Sequence, residues 1–202
     1  MSDETKITLS PQELAAALDT GFILTKMAVI EKTAALLNSL LPKIEVAFGP
    51  VFLQNNLPGN SLPKISKGEN YNGYPYVILD HPALFGKTDV FAIRTMFWWG
   101  NFFSITLHVS GKYKQYFEER LIKNLLQTDL FIAGGEEEWQ HHFEPGNFIL
   151  FSEVTQHQLT DIISKNFLKV ALKYDLNDWN NMQQHLTEGY DQVAYLLRND
   201  EI

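Results

Sequence analysis

The segment between Val90 and Val109 constrains the fold more than any other part of this chain. It consists of two apolar, β-forming stretches that flank Gly100-Asn101. Glycine followed by asparagine between such stretches is typical of a two-residue hairpin loop, because glycine takes the positive φ angle that a type II′ turn requires. With the turn at these two residues, Trp99 is predicted to lie opposite Phe102 in an antiparallel pair of strands.

The alternation of side chains along each strand then sorts the hairpin into two faces. The first face is apolar except for one arginine and is predicted to be a core face: Ala92, Arg94, Met96, Trp98, Phe103, Ile105, Leu107 and Val109. The second face mixes aromatic and hydroxyl side chains: Phe91, Ile93, Thr95, Phe97, Trp99, Phe102, Ser104, Thr106 and His108. A solvated face does not normally carry so many aromatic rings, so we expect the chain's own helices, a partner subunit or a ligand to cover it.

Six side chains of the second face form the candidate ligand-binding site. They are Thr95, Phe97, Trp99, Phe102, Thr106 and His108. Hydroxyl and imidazole groups orient a small polar ligand well, and aromatic rings supply apolar walls. Cross-strand threonine pairs and buried histidines are also ordinary features of a stable sheet, so the structural interpretation stays open beside the functional one.

Composition narrows the class of protein. A chain of 202 residues with 45% hydrophobic and 20% charged residues is predicted to form one globular domain. The formal charge of −8 argues against binding to nucleic acid or to anionic lipid. The chain has no cysteine, its first residues are polar, and no apolar run is expected to span a bilayer, so a soluble cytoplasmic protein is predicted.

The N-terminal part has clear helix signals. Ser10, Pro11 and Glu13 form a capping pattern at the start of a short helix. A longer apolar stripe from Ile23 to Phe48 has helical spacing, and Pro42 is predicted to kink that helix or to begin a separate one. The stripe favours packing in the chain's own core, with a two-helix dimer contact as the alternative.

The order of the elements predicts an α+β fold with a mostly antiparallel sheet. It comprises a helical arm at about 10–49, a long irregular loop at about 50–73, a sheet region at about 74–151 and a helical C-terminal part at about 152–199. One helix, at 112–127, falls within the sheet region. Residues 167–174 fit either a strand or a helix, and their Ala, Leu and Lys content favours a helix.

No recognisable catalytic or cofactor motif occurs in the sequence. The acidic segment 136–144 contains His141 and His142, but adjacent residues on a strand point to opposite faces, so a metal site is not expected. Arg94 needs a carboxylate partner such as Asp129, or exposure to solvent. Phosphate-loop, dinucleotide and nucleophile-elbow patterns are absent, and no cofactor is expected.

These observations favour a protein that acts by binding, either to a protein partner or to itself as a homo-oligomer. The alternative is a small-molecule sensor or enzyme with its pocket on the aromatic and hydroxyl face of the hairpin. The sequence leaves open whether the chain is an enzyme.

Overall fold

The computed structural model describes residues 7–58 and 62–198. Within these residues the chain forms six α-helices: α1 (Pro11–Leu18), α2 (Thr20–Ser39), α3 (Leu41–Gln54), α4 (Gly111–Leu125), α5 (Gln156–Ser164) and α6 (Met182–Leu196). The same residues form seven strands: β1 (Lys64–Tyr71), β2 (Tyr74–Phe85), β3 (Val90–Trp98), β4 (Phe102–Ser110), β5 (Phe131–Ala133), β6 (Phe148–Leu150) and β7 (Phe167–Asp175). Short 3₁₀ helices, Phe151–Glu153 and Leu176–Asn181, precede α5 and α6.

The seven strands form one sheet in the order β1-β2-β3-β4-β7-β5-β6. Every pair of neighbouring strands is antiparallel. Helices α2, α3, α4 and α6 pack against one face of this sheet and form the main hydrophobic core with it. The predicted α+β class with a mostly antiparallel sheet is confirmed.

The predicted hairpin exists, but its predicted register is wrong by one residue. Trp98, not Trp99, pairs with Phe102, so the loop contains three residues instead of two. Gly100 sits in the middle of this loop with φ of +70°, and the Asn101 N–H donates to the Trp98 carbonyl oxygen. The positive φ that suggested a two-residue turn is therefore present in a longer loop.

This one-residue difference exchanges the two faces of β4 relative to β3. The face toward the helices carries Phe91, Ile93, Thr95, Phe97, Phe103, Ile105, Leu107 and Val109. The opposite face carries Ala92, Arg94, Met96, Trp98, Phe102, Ser104, Thr106 and His108. The alternation predicted within each strand is correct, and the pairing between the strands is not.

Several helix predictions are confirmed. The Ser10 side chain accepts the Glu13 N–H and the Glu13 carboxylate accepts the Ser10 N–H, which closes the capping box of α1. Pro42 begins a separate helix, because α2 ends at Ser39 and α3 starts at Leu41. The helix predicted at 112–127 corresponds to α4.

The irregular loop predicted at about 50–73 is wrong over most of its length. Helix α3 continues through Pro50 to Gln54, and β1 begins at Lys64. Burial of Phe48 and Val51 on the core side of α3 outweighs the hydrogen bond that proline removes. Strand β1 lies at the edge of the sheet, where a polar, glycine-containing sequence is tolerated. Residues 59–61 lie outside the described residues.

The helix predicted at 167–174 is a strand, β7, inserted between β4 and β5. Its first five residues are buried, so pairing with two neighbouring strands decides the structure against the helix propensity of Ala, Leu and Lys. The C-terminal part is therefore helical only on either side of β7. His141 and His142, which the sequence analysis treated as adjacent residues on a strand, are not on a strand either, because residues 134–147 form no helix or strand.

Candidate functional site

The six residues predicted to line a ligand pocket do not share one face of the sheet. Thr95 and Phe97 lie on the helix side, and Trp99 packs against the same core from the hairpin loop. Phe102, Thr106 and His108 lie on the opposite side. The register correction separates the set, so these six side chains do not border a common pocket.

The helix-side members have structural partners. The Thr95 hydroxyl lies 2.6 Å from the Tyr190 hydroxyl of α6. Phe97 makes an edge contact with the Trp179 ring, with the centroids 6.0 Å apart. Both side chains are buried. This side of the hairpin is therefore sealed by the chain's own C-terminal elements.

The opposite face of the sheet is covered by residues 134–147, which we call the strap. At the start of the strap, the Lys165 ammonium donates to the carbonyl oxygens of Gly134 and Gly135, at 2.5 and 2.9 Å. Near its middle, the Lys169 ammonium of β7 donates to the Gln140 carbonyl oxygen at 2.6 Å. Cationic side chains thus hold the main chain of the strap against the sheet.

Tyr71, at the end of edge strand β1, also holds the strap. The Tyr71 hydroxyl accepts the N–H groups of His141 and His142, at 2.6 and 3.1 Å, and donates to the Gln140 side-chain oxygen at 3.0 Å. Burial is the largest influence on this phenol and raises its pKa. Tyr71 is therefore a neutral hydrogen-bonding anchor at physiological pH.

Arg94 is the centre of a buried polar chain under the strap. Its guanidinium makes two hydrogen bonds to the Asp80 carboxylate, at 2.7 and 2.9 Å, and a third contact of 2.8 Å to His141 Nε2. The partner suggested by the sequence, Asp129, is wrong. Asp80 lies on β2 and is the cross-strand neighbour of Arg94 in the β2–β3 pairing.

The contact with Arg94 fixes the proton of His141. A guanidinium only donates hydrogen bonds, so His141 Nε2 accepts and the ring proton is on Nδ1. That Nδ1 atom is buried and has no hydrogen-bond partner among the described residues. Burial, followed by the Arg94 and Lys169 charges, lowers the His141 pKa well below its ordinary value.

A second histidine faces the strap from β4. His108 Nε2 lies 2.8 Å from the Glu138 carboxylate, and the Trp139 ring packs on its imidazole with the centroids 4.9 Å apart. Burial, with the Lys169 and Arg94 charges, lowers the His108 pKa to about 3, while the Glu138 carboxylate favours the protonated ring and opposes that shift. His108 is therefore neutral at physiological pH.

Lys169 is the third titratable group of this buried layer. Its side chain is fully buried, and its ammonium lies over the rings of Phe148 and Phe167, at 5.3 and 5.5 Å from their centroids. Burial lowers its pKa to about 8, although the Glu138 charge acts in the opposite direction. The strap therefore covers a layer in which neutral histidines lie beside two cations.

Most polar side chains in the layer under the strap form hydrogen bonds with one another or with the strap. Across residues 7–58 and 62–198, no three His, Cys, Asp or Glu side chains are placed to hold a metal ion.

Two open cavities, of about 440 and 410 Å³, lie away from the strap, one beside the C-terminal end of α4 and the other at the start of α6. The smaller cavity is lined mainly by amide side chains.

The second unusual surface is at the N-terminus. We call residues 7–27 the arm, which is shorter than the helical arm predicted at about 10–49. None of the residues of α1 is buried, and eight large apolar side chains of the arm are at least 45% exposed. They are Ile7, Leu9, Leu14, Leu18, Phe22, Ile23, Leu24 and Met27. The stripe predicted to pack in the core therefore does so only in its later part, where Leu37, Ile44 and Phe48 are buried.

Within the helical stretch Thr20–Gln54, the most apolar window of 18 residues has a mean hydropathy of 1.3, which is enough to cross a membrane by length and composition alone. This corrects the expectation that no apolar run is long enough. One third of its most apolar window is buried inside the protein, whereas the core helix of a soluble protein is mostly buried.

No protein-family model, curated protein or solved structure matches this chain.

Sequence reasoning missed most of the strap layer. The sequence did not indicate that Asp80 pairs with Arg94, or that Tyr71 and Lys169 bind the strap, and within the strap only the density of polar residues at 136–144 was unusual. Tyr71 and His141 are 70 positions apart in the chain. No local pattern marks a contact of that kind.

Proposed function

We propose that this protein acts by self-association, and that the arm is the surface through which two copies bind. The observation that carries the proposal is the exposure of the eight apolar side chains of the arm, from 45% at Ile23 to 97% at Ile7. A helix as short as α1 is marginal in water unless an apolar face is buried. A second copy of the arm supplies such a face.

The area of the arm fits an interface between two copies. If a large apolar side chain offers roughly 150–200 Å² when fully exposed, the eight side chains present roughly 750–1,000 Å² per copy. A standard-size interface buries about 800 Å² per partner. An arm that pairs with an identical arm therefore buries enough surface for a stable dimer.

Charge also favours a second copy over a lipid surface. The arm contains two acidic residues, Glu13 and Asp19, and one basic residue, Lys26, which gives it a net charge of −1. Each copy of the chain carries a net charge of −8, so two copies repel one another least if they meet at a surface of low charge such as the arm. Amphipathic helices that bind membranes usually carry a row of cations, which the arm lacks. The low charge of the arm therefore favours a second copy of this chain over an anionic lipid surface as its binding partner.

Sedimentation velocity over about a hundredfold range of concentration tests this proposal. We expect the wild-type protein to form a dimer and the L14E/L18E variant to be monomeric, with Kd raised at least about 100-fold because two buried leucines are each worth about 1.5–3 kcal/mol. The far-UV circular dichroism of the variant should lose at most the signal of the eight-residue helix α1, because α1 contributes no buried residue to the rest of the fold.

The matched control is Leu126→Glu, which changes a leucine of similar exposure, 72%, outside the arm. This variant should dimerise like the wild type. A wild-type protein that stays monomeric at every concentration would contradict the proposal, as would an L126E variant that dissociates as readily as L14E/L18E.

A further inference from the structure

The strap is fastened to the sheet almost entirely by side chains. Tyr71 of β1, Arg94 of β3, His108 of β4 and Lys169 of β7 each contact it, as does Lys165 next to β7. The strap itself contains no helix or strand, so no backbone ladder protects it. Its attachment therefore depends on the protonation state of these side chains.

The groups around His141 make its protonation unfavourable while the strap is closed. Arg94 contacts the ring directly, Lys169 and His108 approach from β7 and β4, and His142 is its neighbour in the strap. The Asp80 carboxylate is already engaged by the Arg94 guanidinium, and Tyr71 is neutral. A proton on the ring also removes the acceptor that Arg94 uses.

His108 faces a similar environment on β4. Lys169 is its cross-strand neighbour on β7, and Arg94 contributes a second positive charge from β3. Glu138 of the strap is the nearby group that favours a proton on this ring. When the strap leaves, His108 loses Glu138 and gains water, so its pKa returns toward the ordinary value of about 6.5.

We propose that the strap is an acid-released cover, which opens when His108 and His141 take up protons and thereby exposes the aromatic face of the sheet. The uncovered surface includes Met96, Trp98 and Phe102, against which Phe143 of the strap packs. This proposal is independent of self-association through the arm.

The direction of the pH dependence follows from which state binds more protons. The closed state lowers the pKa of His108 to about 3 and shifts the pKa of His141 in the same direction. The open state therefore binds more protons as the pH falls below about 6.5, and acid favours opening. Lys169, lowered to about 8, acts in the same direction between about pH 8 and 10.5, because the open state keeps its proton there. Above about pH 10 the raised pKa of Tyr71 reverses the trend, since the phenol ionises more readily when the strap is open.

Hydrogen exchange of the intact protein tests the proposal. From pH 7 to pH 5, we expect the protection factors of the strap amides to fall about 25-fold through His108 alone, and further through His141, whose pKa is shifted in the same direction. The protection of the amides in β4 should stay unchanged over the same range. Protection factors are compared instead of rates because intrinsic exchange itself depends on pH.

The variant H108Q/H141Q removes both titrating groups while keeping polar side chains. Its strap protection should change less than about threefold between pH 7 and pH 5. His157→Gln is the matched control, because the His157 side chain lies on α5 and is 88% exposed, whereas His108 and His141 are buried. This control should keep the full wild-type response.

Two results would overturn the proposal. One is that strap and β4 amides lose protection together, which means global acid unfolding without a separate opening step. The other is an unchanged pH response in H108Q/H141Q. If the double variant does not fold, the wild-type comparison of strap and β4 amides still decides the question.

Discussion

Replacing Asp80 with alanine should lower the free energy of unfolding by about 3 kcal/mol, the lower end of the range for breaking a buried ion pair. The substitution leaves the Arg94 charge in a largely buried position with His141 as its remaining partner, since only 18% of the Arg94 side chain is exposed. For a chain of this length we expect the melting temperature to fall by about 6–12 °C. Denaturant unfolding and calorimetry both measure this change.

Two comparisons separate the ion pair from a general effect of losing a carboxylate. Glu69→Ala removes an acid that is 70% exposed and pairs with Lys26, so it should cost less than about 1 kcal/mol. The double variant D80L/R94M removes both charges and should be more stable than D80A alone, because no unpaired buried charge remains. A D80A protein as stable as E69A would contradict the importance of the Asp80–Arg94 pair.

Replacing Gly189 with alanine should destabilise the protein by about 2 kcal/mol, although alanine is the better helix former. A Cβ atom at this position in α6 would lie 2.1 Å from the Tyr174 hydroxyl oxygen and 2.8 Å from Ile105 Cδ1. The absence of a side chain at Gly189 lets α6 approach β7 closely. Chemical denaturation of the purified variant measures the loss.

Tyr174→Phe should rescue the Gly189 variant. The Tyr174 hydroxyl is buried without a hydrogen-bond partner among the described residues, so its removal is nearly neutral or stabilising by itself. In the Y174F background, G189A should cost about 1 kcal/mol, because the closest contact is gone and the helix propensity of alanine is regained, while the 2.8 Å contact with Ile105 Cδ1 remains. A cost that stays at about 2 kcal/mol in the double variant would show that the Tyr174 contact is not the cause.

The sequence predicted local features well where a short pattern decides the structure. The capping box at Ser10, the break at Pro42 and the alternation within β3 and β4 were all confirmed. Residues 167–174 were assigned to the wrong element because their helix propensity favours one structure and their burial between two strands favours another. Propensity is worth a few tenths of a kcal/mol per residue, and burial is worth several times more.

The candidate site was predictable only in part. The concentration of aromatic and polar side chains in the hairpin and the segment 136–144 indicated an unusual region, but not which groups meet. A three-residue loop, where two residues were expected, moved His108 to the side of Arg94 and away from Trp99. One residue in a loop is a small energetic difference, yet it exchanges a whole row of side chains.

Residue order and composition were enough to predict the helix starts, the apolar hairpin, the acidic charge and the apolar spacing of the N-terminal helices, because each is set by composition or by residues within a few positions of one another. Long-range packing set the register of the hairpin, the insertion of β7, and the contacts of Tyr71, Arg94 and Lys169 with the strap. It also decided that the first half of the apolar stripe stays exposed. Each of these depends on groups distant in the chain, whose burial and pairing outweigh the local preferences of the residues between them.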